Sequence, residues 1–250
     1  MIGPAAQRRF PAVVESCGGC VDIEDSTPAA SAGPRLITGA TGRVAGVIAR
    51  ELALAHDVVA GARFRAPSAR ARLAALGVEC VTGDLAGDLS ALPRDVDILL
   101  NFAVSFSGDW GEALAVNAEG LGHLVDHLPR LERMLHCSSM GVYASRVEPH
   151  LESDVLGDSN AALMPTYSIS KITGESMARY LARSRGIPTT IARLATPYGG
   201  HGGLPWDHLQ AILADPARCR GRPRGGGQLG RPMSGRRRGV VPRAQPSGRA

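Results

Sequence analysis

Residues 35–50 read Arg-Leu-Ile-Thr-Gly-Ala-Thr-Gly-Arg-Val-Ala-Gly-Val-Ile-Ala-Arg. A short apolar run, Leu36-Ile37, stops at Thr38, and glycines follow at 39, 42 and 46. Val44, Val47, Ile48 and Leu52 then recur at spacings of three and four, the period of an amphipathic helix. The pattern predicts a buried strand, a tight glycine turn and a helix. Such a turn aims backbone N–H groups and the positive helix end at one point, where a pyrophosphate can sit. A Cβ there would obstruct both the turn and the approach of the phosphate. The third glycine comes one place late, and Ala45, small enough for close helix–strand packing, holds the usual position. Taken alone, the loop also fits an ordinary strand–helix turn.

Outward from this turn, strand and helix signals alternate. Strands are predicted over residues 56–61, 78–81, 96–102, 134–138 and 188–193. Helices are predicted over 67–76, 112–128 and 165–185. Leu114, Ala118, Leu121, Val125 and Leu128 share one face of the 112–128 helix. Alternation of this kind implies a parallel sheet covered on both faces. With a phosphate turn after the first strand, the expected fold class is α/β, a doubly wound, Rossmann-like sheet.

The 250-residue chain is long enough for one or two domains. It has no apolar run of membrane-spanning length and no apolar leader at its N-terminus, which excludes a helical membrane span and a secretory signal from the expectation. Five scattered cysteines, Cys17, Cys20, Cys80, Cys137 and Cys219, suit a reducing, cytoplasmic setting better than a disulfide framework. Cys17 and Cys20 lack the second pair a metal site needs, and His123 with His127 lacks a third ligand, so no metal is expected. The net charge of +5 comes from the last 34 residues, which hold ten arginines and no acid. The other 216 residues carry 18 basic and 23 acidic side chains.

The chemistry is concentrated in two segments at the expected carboxyl edge of the sheet. One is Cys137-Ser-Ser-Met-Gly-Val-Tyr143, and the other is Tyr167-Ser-Ile-Ser-Lys171. Tyr and Lys four apart share a helix face, and an ammonium beside a phenol is expected to favour the phenolate. The phenol can then exchange a proton with a substrate hydroxyl or carbonyl, while a nearby serine hydroxyl holds the same oxygen. Lys171 is the one lysine among 28 basic residues, which suggests that its position requires an ammonium.

With these motifs in view, the sequence resembles the extended short-chain dehydrogenase/reductases, the group that includes the NAD-dependent epimerase/dehydratases of nucleotide sugars. The resemblance runs from about residue 35 to about 200. It rests on Thr38–Gly42, Gly83-Asp84-Leu85, Asn101–Ala103, Asn117, Ser138-Ser139, Tyr143, Tyr167 with Lys171 and Glu175, Arg193, and Tyr198-Gly199. It implies that Tyr167 is the catalytic acid/base, that Lys171 supports it and holds the nicotinamide ribose, and that Ser139 rather than Ser138 is the catalytic serine. It also implies that Gly39, Thr41 and Gly42 carry the pyrophosphate, that Asp84 and Leu85 flank the adenine, and that Ala103 lines the cofactor cleft. Asn117 takes the place of a structural asparagine between the fourth strand and its helix. A homodimer through the two long helices is implied as well.

An acid at the end of the second strand would bind the ribose 2′-OH and select NAD. Here the position reads Ala62, followed by Arg63 and Arg65, so NADP is preferred over NAD. The same arginines also fit a solvated loop. Arg43, just inside the glycine turn, is expected within reach of a phosphate as well. The expected organisation is a flexible extension over 1–34, a dinucleotide-binding domain over 35–200, a remnant of a substrate lobe over 201–216, and a disordered Arg/Gly/Pro-rich tail over 217–250, with most of the substrate lobe missing through truncation or a shifted reading frame. The function expected is hydride transfer at a hydroxyl or ketone of a sugar nucleotide or similar small metabolite. The alternatives are a dinucleotide-binding protein without turnover and, ranked last because interleaved aromatics are missing, a nucleic-acid-binding tail.

Overall fold

The computed structural model describes residues 33–198 and 202–214. Six parallel strands form one sheet: β1 (Arg35–Thr38), β2 (Val58–Ala62), β3 (Glu79–Thr82), β4 (Ile98–Asn101), β5 (Arg133–Ser139) and β6 (Thr189–Leu194). Their order across the sheet is β3-β2-β1-β4-β5-β6. This is the doubly wound order in which the chain reverses direction between β1 and β4, opening a crevice at the carboxyl ends of the strands. The predicted α/β class and Rossmann-like sheet are therefore present.

Residues on β1 alternate between two cores, as parallel strands covered on both faces require. Leu36 packs with Leu99, Leu121, Leu124 and Met134 on one side. Ile37 packs with Ala45, Ala49, Ala60 and Leu73 on the other. The second core is built on α1 (Arg43–Leu52) and α2 (Pro67–Ala74), whose buried residues are mostly alanines. The first is closed by α4 (Gly120–His127) and α5 (Tyr167–Arg185). Each fully buried leucine in these layers stabilises the fold by about 1.5–3 kcal/mol relative to exposure.

The predicted strand ends shift by up to two residues, and one helix differs in kind. The 112–128 helix begins earlier and is interrupted: α3 (Trp110–Leu114) passes through a π-turn at Ala115–Glu119 before α4. Asp109 caps α3 by accepting from the Glu112 N–H at 2.9 Å. Asn117 sits inside the π-turn, not between β4 and its helix. The wide turn lets its buried side chain reach back to the loop after β4, accepting from the Ser105 N–H at 2.7 Å and donating to the Ser105 carbonyl at 3.0 Å. α5 starts at Tyr167 instead of residue 165.

The chain divides into two units, Met1–Trp206 and Asp207–Ala250, with α6 (Leu204–Ala214) running across the division. The Cys17–Cys20 pair and the arginine-rich tail lie outside the described residues. No helix among the described residues is long and apolar enough to cross a membrane.

Candidate functional site

The glycine turn follows β1 directly. Gly39 takes φ +67°, and a Cβ built on it would lie 2.8 Å from the backbone of Ala103. It is glycine because β1 and the loop after β4 touch there. Gly42 caps α1 with its N–H bonded to the Gly39 carbonyl at 2.8 Å. No side chain caps α1 and its first turn holds no acid, so its leading N–H groups face outward. Thr41 and Arg43 are exposed beside them. Arg43 also borders a second cleft of about 260 Å³, with Val44, Val47, Ile48, Pro197 and Tyr198.

At the β2–β3 side of the sheet, Arg63 and Arg65 are exposed immediately after β2. Between them Phe64 adopts φ +41°, which lays its ring 5.4 Å beneath the Arg70 guanidinium. Asp84 is half-buried in the turn after β3, accepting from the Ala86 N–H at 3.2 Å. Leu85 is 7% exposed and belongs to the first core, so only its backbone is left to meet a ligand. Ala103 is half-buried at the crevice, its N–H bonded to Thr38 Oγ1 at 3.4 Å. An uncapped helix start, a turn that requires glycine and the two arginines form a cradle that fits a dinucleotide.

Under this cradle runs a buried polar chain that the sequence did not announce. Thr38 Oγ1 donates to Asn101 Oδ1 at 2.5 Å. Asn101 Nδ2 lies 3.1 Å from His136 Nδ1. Because Asn101 presents its amide N–H to Nδ1, the imidazole proton is assigned to Nε2. Nε2 has no hydrogen-bond partner among the described residues. Burial, and then the Lys171 charge, push the His136 pKa down to about 3, with Glu175 opposing.

The two adjacent serines at the end of β5 are pulled in opposite directions by the strand's alternation. Ser138 points into the protein and donates to Glu175 Oε1 at 2.6 Å. Ser139 points into the crevice, where its oxygen accepts the Gly141 N–H at 3.0 Å. Its own proton is then directed toward the Tyr167 phenol, with which it shares a cleft and whose pKa it lowers. Of the two candidates, Ser139 is the one brought to Tyr167. Ser139 and Tyr167 line a cleft of about 360 Å³.

Lys171 lies one helical turn beyond Tyr167 on α5 and is 3% exposed. Its Nζ donates to the Cys137 carbonyl at 2.6 Å. Burial lowers its pKa, against the pull of Cys137 and Glu175. The expected lowering of the phenol's pKa by this ammonium is absent. Burial pushes Tyr167 above its ordinary value, the Ser139 hydrogen bond works against that rise, and Cys137 adds to it. The lysine is committed to the β5 backbone, and desolvation of the phenol dominates.

Behind the serines, Arg193 of β6 grips Glu175 with two bonds, Nε to Oε1 at 2.8 Å and Nη2 to Oε2 at 2.7 Å. Its Nη1 donates to the Tyr143 hydroxyl and to the Glu152 carbonyl, each at 2.9 Å. The β5–β6 register makes this possible by setting Ser138 opposite Arg193.

A scan of family models matches residues 35–214 to the NAD dependent epimerase/dehydratase family. The chain belongs to that family. Among curated proteins, this epimerase/dehydratase chain is similar to an uncharacterised UDP-glucose epimerase, YtcB, of Bacillus subtilis (strain 168), 30% identical over 121 residues, which are 46% of the chain and 37% of the relative. A short-chain dehydrogenase/reductase superfamily protein of Agrobacterium tumefaciens, solved with bound NAD, is 26% identical with a TM-score of 0.54, over 64% of this chain and 48% of that one. A UDP-glucuronic acid 4-epimerase of Bacillus cereus in complex with NAD shares the fold at a TM-score of 0.62 and 20% identity, over 73% of this chain and 64% of that one. The chain thus spans less than two thirds of the length of each of these relatives.

Three features of this family member carried no sequence signal. Phe106, in the loop after β4, stacks on the Tyr167 ring with centroids 5.2 Å apart and planes 16° apart. Asn160 donates to Ser168 Oγ at 3.1 Å and lines the same cleft as Phe106. The Thr38–Asn101–His136 chain joins three strands, and although Thr38 and Asn101 stood in the sequence as motif residues, nothing there linked them to each other or to His136. Of the His123–His127 pair, His127 Nε2 bonds the Leu92 carbonyl at 2.9 Å, and no group of three or more metal-ligating side chains occurs among the described residues.

Proposed function

We propose that this chain is a nicotinamide-dependent enzyme of the epimerase or oxidoreductase type, acting at a secondary hydroxyl or ketone of a sugar nucleotide. The observation that carries the reading is that the Tyr167 phenol and Ser139 line one cleft at the carboxyl edge of the sheet, the edge that also carries the glycine turn. When bound, the nicotinamide supplies the hydride acceptor or donor. Tyr167 takes the proton from the substrate hydroxyl and returns it to the carbonyl oxygen. Ser139 holds that oxygen in line with the phenol. Lys171, anchored to the Cys137 carbonyl one helical turn from the phenol, holds the nicotinamide ribose. The curated relative named for a UDP-glucose epimerase supports the sugar-nucleotide class.

Gly39, Gly42 and the start of α1 hold the pyrophosphate, and Arg63 with Arg65 holds a ribose 2′-phosphate. NADP is preferred because Ala62 stands where an acid would repel that phosphate, while both guanidiniums are exposed. NAD remains the cofactor named with the solved structures of this fold. Free thiols at Cys80 and Cys137 accord with a reducing, cytoplasmic compartment. A homodimer through α4 and α5 belongs to the same reading, with Ile169 and Tyr180 exposed on α5.

A second reading, dinucleotide binding without turnover, is favoured by one observation: the Lys171 ammonium is bonded to the Cys137 carbonyl and not to the Tyr167 phenol. Titration with NADPH and NADH by fluorescence, followed by assay of UDP-glucose in wild type and Tyr167→Phe both for reduced nicotinamide at 340 nm and for an epimerised sugar by NMR, separates the two. Binding with neither reduced nicotinamide nor epimerised product in the wild type supports the second. Loss of turnover in Tyr167→Phe with cofactor affinity intact supports the first.

A further inference from the structure

Phe106 belongs to neither core and is 64% exposed, so packing of the interior does not account for where it sits. Its ring lies against the Tyr167 phenol, centroids 5.2 Å apart and planes 16° apart. The residues on either side of it are stitched to α5. Ser105 exchanges two bonds with Asn117, whose Nδ2 also donates to Ser170 Oγ at 2.9 Å, one residue before Lys171. The Ser107 carbonyl accepts from Thr166 Oγ1 at 2.6 Å, one residue before Tyr167. The loop is thereby held in register with the turn of α5 that carries Tyr167 and Lys171. Gly141 closes in from the end of β5: a Cβ built there would stand 3.3 Å from Tyr167 Cε1 and 3.3 Å from Ser139 Oγ. The phenol thus has an aromatic ring on one face and the Gly141 backbone close to the ring edge beside its hydroxyl.

We infer that Phe106 is a positioning residue of the acid/base step: stacked across Tyr167 by a loop bonded to α5, it fixes the plane of the phenol so that the hydroxyl stays turned to Ser139, and it keeps water off that face. The inference rests on Tyr167 being the acid/base and adds what holds it. A tyrosine side chain in an open cleft has staggered alternatives at χ1. An offset stack on a second ring favours one of them. Holding one matters, because a reacting group displaced by about 1 Å loses about a hundredfold in rate. The cover has a second effect. Burial is the largest cause that keeps the phenol above its ordinary pKa, and Phe106 is the ring that lies against it. Phe106 acts through the phenol and need not touch the substrate.

The test reads the phenol directly. The full chain carries tyrosine labelled with carbon-13 at Cζ, without cofactor or substrate, and the Tyr167 NMR signal is identified by its loss in Tyr167→Phe. Among the four tyrosines, the Tyr167 signal should move most in Phe106→Ala and should titrate at lower pH than in the wild type. Phe106→Trp, which keeps a ring on the phenol, should hold that titration near the wild-type one. In the presence of UDP-glucose and of NADP or NAD, turnover is followed both as reduced nicotinamide at 340 nm and as epimerised sugar by NMR. Phe106→Ala should lower kcat about tenfold with KM within about twofold, and should move the rising limb of kcat against pH to lower pH. Phe106→Trp should return kcat to within about threefold of wild type, and NADPH affinity should be unchanged in both variants. A Tyr167 signal that ignores Phe106→Ala, a kcat left intact, or a Trp variant no better than the Ala variant overturns the inference. Turnover that survives Tyr167→Phe, with the Tyr167 signal responding as expected, leaves the clamp standing and sinks the acid/base role.

Discussion

Ser138 and Glu175 meet through one buried hydrogen bond, 2.6 Å from hydroxyl to carboxylate. That bond separates two serines that are neighbours in sequence. Ser138 is held in the interior by the Glu175–Arg193 pair, and Ser139 is left facing the phenol. Substituting the two should therefore give opposite phenotypes. Ser138→Ala removes a charge-assisted bond and is expected to cost about 1.5–3 kcal/mol of stability by urea denaturation, with NADPH affinity unchanged. Ser139→Ala should leave stability within about 1 kcal/mol of wild type and lower hydride transfer by about a hundredfold. Equal stability losses in both variants would contradict this division.

Arg193 binds Glu175 through two parallel bonds while its guanidinium lies 4.8 Å from the centre of the Tyr143 ring. Hydrogen bonds from Arg193 and Ser138 outweigh burial and hold Glu175 below its ordinary pKa. A depressed carboxylate stabilises the fold above its unfolded pKa and ceases to as pH falls through its folded one. Arg193→Met leaves Glu175 buried without its main partner and should cost about 3–5 kcal/mol at pH 7. The deficit should shrink below pH 4, where the carboxyl protonates in the unfolded chain as well. Parallel thermal melts of wild type and variant across that range measure it.

Gly39 and Gly42 look alike in the sequence but do different work. At Gly39 the backbone is left-handed and a Cβ would stand 2.8 Å from the Ala103 backbone. At Gly42 a Cβ would meet only the Gly39 carbonyl, at 3.1 Å. Gly39→Ala should destabilise the protein by about 1–3 kcal/mol, since both strain and displacement of the β4 loop are required. Gly42→Ala should cost less than about 1 kcal/mol in stability and show its effect in cofactor affinity instead. Denaturation and NADPH titration of the two variants provide the comparison.

The glycine turn was legible because strand, turn and helix each leave a local periodic trace, and that trace also gave the sheet order its starting point. The Tyr167–Lys171 pair was legible by spacing, but the direction of its electrostatics was not. Spacing places two residues on one face of α5, and whether the ammonium turns to the phenol or to the Cys137 carbonyl depends on β5, more than thirty residues away. The π-turn at Ala115–Glu119 left the apolar stripe nearly intact, so the stripe read as one helix. Phe106 lies in a loop without period, and its partner Tyr167 is set by tertiary packing alone. The Glu175–Arg193 pair appeared in the sequence as two motif residues, and only the β5–β6 register shows that they close on Ser138.

His136 offers the sharpest pH test of the fold. Its Nδ1 is paired with Asn101 while its Nε2 is buried without a partner among the described residues, so a second proton would place an unsolvated charge beside Lys171. Its pKa falls from 6.5 to about 3, with burial the larger cause. Between these values the unfolded chain binds the proton and the folded chain does not. Stability is therefore full above pH 6.5 and declines as pH drops toward 3, at up to about 1.4 kcal/mol per pH unit from this residue alone. His136→Leu removes that titration. It also strands the Asn101 amide, so it should start about 1–3 kcal/mol less stable at pH 7. Its stability should then fall less steeply than that of wild type between pH 6.5 and pH 4, and the two curves should converge. Urea midpoints taken every half unit across this range decide the matter, and parallel curves would show that His136 is not the group whose protonation drives the acid transition.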